Sequence, residues 1–232
     1  MAANLQQQSM ITSEEIYRDL YHKIEYLEYM PGELLSENEL ARQYNTTRHT
    51  IRNAFAGLKQ NRLIEVYPQR GSFVSLIDMD MVSDLMFLRE AVERMALQEL
   101  MDREDLIDET CDKMQAILEK QKKLGINGHP NKKFDELDRE LHGTMLSSVG
   151  RLSAMELLQD EMVHFHRWRN LDLSVMLRNE DIIRQHEELI EAIRSRDKEL
   201  ADKRLLEHLD SKQYFDIVRE KTDNQYFYKK QD

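Results

Sequence analysis

Residues 36–74 read SENELARQYNTTRHTIRNAFAGLKQNRLIEVYPQRGSFV, and few folds accommodate this segment. Ser36 and Glu39 have the spacing of a capping box, in which the hydroxyl takes a free first-turn N–H and the glutamate reaches back. A turn at Tyr44-Asn45 ends that short helix. Thr46 or Thr47 can cap the next, in which Ile51, Ala54, Phe55 and Leu58 recur on one face while Arg48, His49, Arg52 and Asn53 project from the other. Alternation in residues 63–67 and 72–75, across Pro68-Gln69-Arg70-Gly71, predicts a hairpin with a basic tip. Upstream, Ile16, Leu20, Ile24 and Leu27 predict a first helix that Pro31-Gly32 closes. Helix, helix, helix, hairpin is a winged helix-turn-helix.

Charge separates this segment from the rest. The 232 residues carry a formal net charge of -11, yet residues 40–64 hold Arg42, Arg48, Arg52, Lys59 and Arg62 and no acid. Residues 1–77 hold eight Lys/Arg against nine Asp/Glu, so the remainder carries the other -10. Such sorting is expected when one domain meets a polyanion and the other avoids it. Arg48 suits a bidentate contact to guanine, and Arg52, one turn on, suits a base or a phosphate. Thr47, Thr50 and the helix N-terminus suit phosphate, His49 can donate to either, and Arg70 with Gly71 forms a probe for the minor groove or backbone. The other use of a winged helix, as a protein-interaction module, does not call for basic residues on both recognition helix and wing.

Beyond a short connection, 78–80, no strand signal occurs. Few Gly and Pro (seven and three) and 13 Met favour helices. Apolar periodicity predicts six, over 81–102, 105–124, 131–148, 152–169, 180–196 and 198–219, with breaks at 125–130, at Val149-Gly150 and across 171–180. The predicted plan is a mainly α protein: winged helix-turn-helix over 1–77, linker 78–80, all-helical bundle 81–219, and a loosely held tail 220–232. Cys111 alone cannot form an internal disulfide and reads as a buried structural thiol. The N-terminal MAANLQQQSMITS lacks the pattern of an export signal, and no apolar run approaches the roughly 18 residues of a membrane span. A cytoplasmic location is the expectation.

Within the helical part, Asp138 and His142 sit beside the stripe Phe134, Leu137, Leu141, Met145, four residues apart and on one face. His186 interrupts the stripe of Ile182, Ile183, Leu189, Ile190 and Ile193, and His208 falls between Leu205 and Leu209. One such His is more often a hydrogen-bonded core residue than a ligand. Four inward polar groups on three helices, one of them a carboxylate, point instead to a single divalent ion: Zn²⁺, Ni²⁺ or Mn²⁺, among which the residues do not choose. His164 and His166 lie on different faces of one helix and read as cavity lining or surface.

The segment from Pro31 to Val74 resembles the N-terminal domain of the GntR family of bacterial transcriptional regulators. The likeness spans about residues 14–76 and rests on Pro31-Gly32, Glu39-Leu40-Ala41, Thr47-Arg48 with Arg52, and Arg70-Gly71. It implies DNA contacts by Thr47, Arg48, Arg52 and Gly71. Asn38, where some members have an Arg, and His49-Thr50 depart from the common pattern, so no relative's operator can be borrowed. Likewise Asp138-x-x-x-His142, His186 in QHEELIEAI and His208 in EHL are similar to the metal pattern of the FCD effector domain in the FadR subfamily. That resemblance implies a small carboxylate effector, such as a sugar acid or hydroxy acid, completing the metal's coordination, with Arg89 facing the ligand cavity. Arg89 also has a plain structural reading, an ion pair with Glu93. Arg169, Arg167 and Asn170 are further candidates for the effector's polar end. A single winged helix reads too few base pairs, so a homodimer on a two-fold operator, acting as a repressor, is expected. The competing class is a metal-dependent enzyme built on the Asp/His cluster, although there is no His-Glu-x-x-His run, phosphate loop or clear general base.

Overall fold

The computed structural model describes residues 11–124 and 132–229. The N-terminal leader reading and the predicted break at 125–130 lie largely or wholly outside these residues. The chain forms two compact units that divide after Leu76, and each is described by itself.

In the first unit, α1 (Ser13–Glu25) buries Ile16, Leu20 and Ile24. Its start is a complete capping box between Thr12 and Glu15. The helix ends earlier than its apolar stripe suggested. Tyr26 is the C-cap and Leu27 turns left-handed at φ 60°, so the chain has left the helix before Pro31-Gly32. α2 (Glu37–Gln43) and α3 (Arg48–Gln60) follow, capped by Ser36 and Thr47, whose side chains accept from the N–H groups of Glu39 and Thr50. At Ser36 only that half of the anticipated box forms. Ile51, Ala54, Phe55 and Leu58 of α3 are buried as expected.

The wing is a three-stranded antiparallel sheet, not a two-stranded one: β2 (Ile64–Tyr67) pairs with β3 (Gly71–Val74), which also pairs with β1 (Leu34–Leu35). Two residues are too few to show alternation; β1 exists because β3 offers it a free edge. Gly71 opens β3 at φ +114°, and a Cβ there would lie 2.8 Å from Leu34 Cδ1. The backbone therefore demands glycine at Gly71 whatever it touches outside.

The second unit is helical: α4 (Met79–Met101), α5 (Glu104–Lys123), α6 (Lys132–Ser148), α7 (Leu152–Glu156), α8 (Gln159–Met176), α9 (Asn179–Arg194), α10 (Lys198–Leu209) and α11 (Phe215–Lys221). Asp78 caps α4 by accepting from the N–H groups of Asp80 and Met81, so the expected linker is a cap and first turn. The helix predicted over 152–169 is two helices broken at Leu157-Leu158. α8 then extends into the expected 171–180 break, which narrows to Leu177 and Arg178, the φ of 52° at Leu177 stopping the helix. α7 buries none of its residues, so its apolar content carried no information about continuity.

The core joins Leu97, Leu100, Ile107, Cys111, Met114, Leu137, Leu141, Met145, Leu189, Ile193 and Leu205. Burial pushes the Cys111 thiol up to about 11, as suits a structural role. The last predicted helix also divides, at Asp210, before α11. The tail is not loose as far as Tyr228: Phe227 is buried, Ile77 N–H donates to Tyr226 O at 2.8 Å, and Tyr228 N–H donates to Ile77 O at 3.1 Å.

Candidate nucleic-acid interface and metal centre

On the first unit, Thr47, Arg48, His49, Arg52 and Asn53 are exposed along α3, Thr50 is half-buried, and Arg70 stands at the hairpin tip with its guanidinium 5.5 Å from the Tyr67 ring. Thr47 Oγ1 serves as the cap and lies 2.9 Å from Thr50 Oγ1. The two α3 arginines differ. Arg48 has no protein partner among the described residues, whereas Arg52 Nε donates to Glu37 Oε2 on α2 at 2.8 Å.

On the second unit, α6 supplies Asp138 and His142, α9 supplies His186 and α10 supplies His208. All four are buried, and one ligand atom from each lies within 4.8 Å of the other three. Each imidazole is gripped from behind. His142 Nδ1 lies 2.6 Å from Glu93 Oε2 of α4, His186 Nδ1 lies 3.1 Å from Gln121 Oε1 of α5, and His208 Nδ1 lies 3.2 Å from Gln185 Oε1 of α9. A carboxylate only accepts, so His142 must carry its proton on Nδ1. The Gln121 amide is oriented by its Nε2 donating to Phe134 O at 3.4 Å, which leaves Oε1 to accept from His186. These partners turn Nε2 lone pairs toward the centre, the arrangement by which outer groups orient ligating histidines.

His142 Nε2 and His208 Nε2 are 3.0 Å apart, and with both Nδ1 atoms protonated each turns a lone pair toward the other. His186 Nε2 is buried without a hydrogen bond, its nearest acidic atom being Asp138 Oδ1 at 3.5 Å. Protonation is a poor remedy. Burial, reinforced for His208 by the neighbouring imidazoles, lowers His186 to about 3 and His208 well below the ordinary range. Asp138 is held the other way: burial opposes its charge, but Arg169, His186 and His142 keep it ionised far below the usual carboxylate range. Ligand atoms bound to one ion at about 2.0–2.2 Å can be no more than about 4.4 Å apart, so contraction of a few tenths of an ångström would suffice. Three imidazoles and a carboxylate therefore fit a borderline divalent ion.

The two candidate effector arginines both lie against this centre. Arg169 Nη2 donates to Asp138 Oδ1 at 2.8 Å. Arg89 Nε donates to Glu93 Oε1 at 2.6 Å, the ion pair that was its structural reading, with its guanidinium 5.4 Å from the Phe165 ring. Burial opposes the charge on Glu93, but Arg89 and His142 bring it down to about 2. Arg167, Asn170 and His164 are buried on α8, while His166 contacts Arg139 and stands apart from the cluster. Sequence reasoning found the four inward residues but missed Glu93 as an orienting group, and Gln121 and Gln185 altogether.

A winged helix-turn-helix with basic α3 and tip, followed by a helical bundle, defines a DNA-binding regulator with a separate helical unit. Residues 12–74 match the gntR family of bacterial regulatory proteins and residues 84–211 match the FCD domain. The chain belongs to the GntR family of transcriptional regulators and carries an FCD domain. It is 27% identical over 197 residues to the HTH-type transcriptional repressor RspR of Escherichia coli (strain K12), covering 85% of each chain. It is 32% identical to an HTH-type transcriptional regulator in an unstable DNA locus of Streptomyces ambofaciens, covering 84% of this chain and 80% of that one. Two solved structures share the fold. E. coli McbR/YncC does so with TM-score 0.58 at 18% identity, covering 91% of this chain and 99% of that one. A putative GntR regulator from Rhodococcus sp. RHA1 does so with TM-score 0.60 at 17% identity and the same coverage. Among the described residues no helix is long and apolar enough to cross a membrane.

Proposed function

We propose that this regulator is a homodimeric repressor whose operator binding is relieved by a small carboxylate. The carboxylate would be sensed through a divalent ion held by Asp138, His142, His186 and His208. The observation that carries the sensory part is the set of Nε2 atoms turned inward by Glu93, Gln121 and Gln185, with that of His186 left unpartnered. When bound, the ion supplies a Lewis-acidic position for a carboxylate oxygen. Charge favours an anion there. Arg89 and Arg169 are balanced by Glu93 and Asp138, and an imidazole that ligates an ion does so in its neutral form, so a divalent ion leaves a positive excess in a buried site. Arg89 and Arg169 would meet the ligand by giving up part of their hold on those carboxylates.

Repression is supported by the name of the E. coli relative. A two-fold assembly is supported by α4, where Phe87, Leu88, Ala91 and Met95 form an exposed apolar stripe about two turns long with no charge inside it. Such a stripe suits pairing with its own copy.

Thermal-shift and mobility-shift measurements on the purified protein, with sugar acids and hydroxy acids and with or without chelator, test the proposal. Selective binding to the folded state contributes about 2.7 kcal/mol at a ligand concentration 100 times Kd. The expected result is a carboxylate that raises the melting temperature, weakens DNA binding, and does neither after chelation or in His186→Ala. Failure of every carboxylate, with DNA binding lost on chelation alone, would instead make the ion structural or itself the signal.

A further inference from the structure

The ion pair between Arg52 and Glu37 joins the two helices of the reading head, and stability does not account for it. Both side chains are solvent-accessible, at 63% and 30%. Exposed pairs of this kind contribute little, because two long side chains must be ordered in high dielectric. An acid on the face that meets a polyanion also opposes binding. The pair engages only Nε of Arg52 and one oxygen of Glu37; the two Nη groups and Oε1 have no protein partner among the described residues.

That geometry separates the two arginines of α3. Arg48 is free to take a phosphate or a base. Arg52 is tethered through Nε on an exposed side chain, which leaves its Nη edge to donate in parallel to O6 and N7 of guanine. A phosphate brought to the same edge would approach the Glu37 carboxylate and be repelled, whereas a base edge is uncharged. Glu37 Oε1 can in turn accept from the amino group of cytosine or adenine. Asn38, the neighbouring residue on α2, adds no positive charge to offset the acid.

We propose that Glu37 is a specificity-determining residue, which holds Arg52 for base reading and denies it to the phosphate backbone. This rests on the regulator reading a defined operator. In an exposed pair, Glu37→Gln removes the charge without threatening the fold, which a thermal melt checks.

The test is selection from randomised duplexes by the wild-type protein, Glu37→Gln and Arg52→Ala, followed by affinity measurements at several salt concentrations. The wild-type motif should contain a symmetric G·C pair in each half-site. Glu37→Gln should lower discrimination at that one position about tenfold and leave the others intact. It should also bind non-motif DNA more tightly, with a salt dependence steeper by close to one phosphate contact. Arg52→Ala should erase the same position, and Glu37→Gln should then have no further effect there. An unchanged motif for Glu37→Gln, or a change at a position Arg52→Ala does not affect, would overturn the role given to Glu37 alone. A wild-type protein that enriched no motif would sink operator reading itself, and this role with it.

Discussion

Gln121 determines what His186 can do. Its amide accepts from Nδ1 and thereby commits Nε2 to the centre, while Glu93 and Gln185 serve His142 and His208 in the same way. Gln121→Leu keeps the volume of the buried side chain but removes this orientation. Divalent-ion affinity, measured by competition with a chromogenic chelator, should fall about 10- to 100-fold with the helical content unchanged. Unaltered affinity would show that His186 needs no partner to ligate. The four inward groups were legible because each breaks an apolar stripe on its own helix. Their orienting partners were not. Glu93 has an adequate local explanation as the i+4 partner of Arg89, and nothing in the spacing of Gln121 links α5 to a histidine on α9.

Elements were legible where burial has a period and obscure where contacts made far away decide. α3 matches its stripe because each of its inward residues is buried. α7 and α8 were fused because Leu152 and Leu157 look like core yet are exposed, and the end of α1 was extended because Leu27 continues the stripe after the backbone has turned. The C-terminal segment is the plainest instance. Charged and aromatic, it has no periodicity, and its order comes from Phe227 packing inside the second unit and from two hydrogen bonds to Ile77. Burial of that ring predicts a large effect: Phe227→Ala should cost about 3–5 kcal/mol in denaturant unfolding. A loss under 1 kcal/mol would mean that the segment is held by little more than its backbone bonds.

At the scale of the molecule, a reader confined to a few base pairs becomes useful when two copies act together. If the α4 stripe is the surface that joins them, Leu88→Glu with Met95→Glu should give a monomer by light scattering. Its operator affinity should drop at least tenfold while its ion affinity is retained. A dimer that survives both charges must use another face. The docking of residues 226–228 on Ile77 has a different consequence. The helical unit begins and ends at one spot, with its first residue hydrogen-bonded to its last described turn. Chain ends that lie side by side can be joined and the polypeptide opened elsewhere. A circular permutant of residues 77–228 is therefore feasible, and so is insertion of the whole helical unit into a surface loop of an unrelated protein through a pair of short linkers.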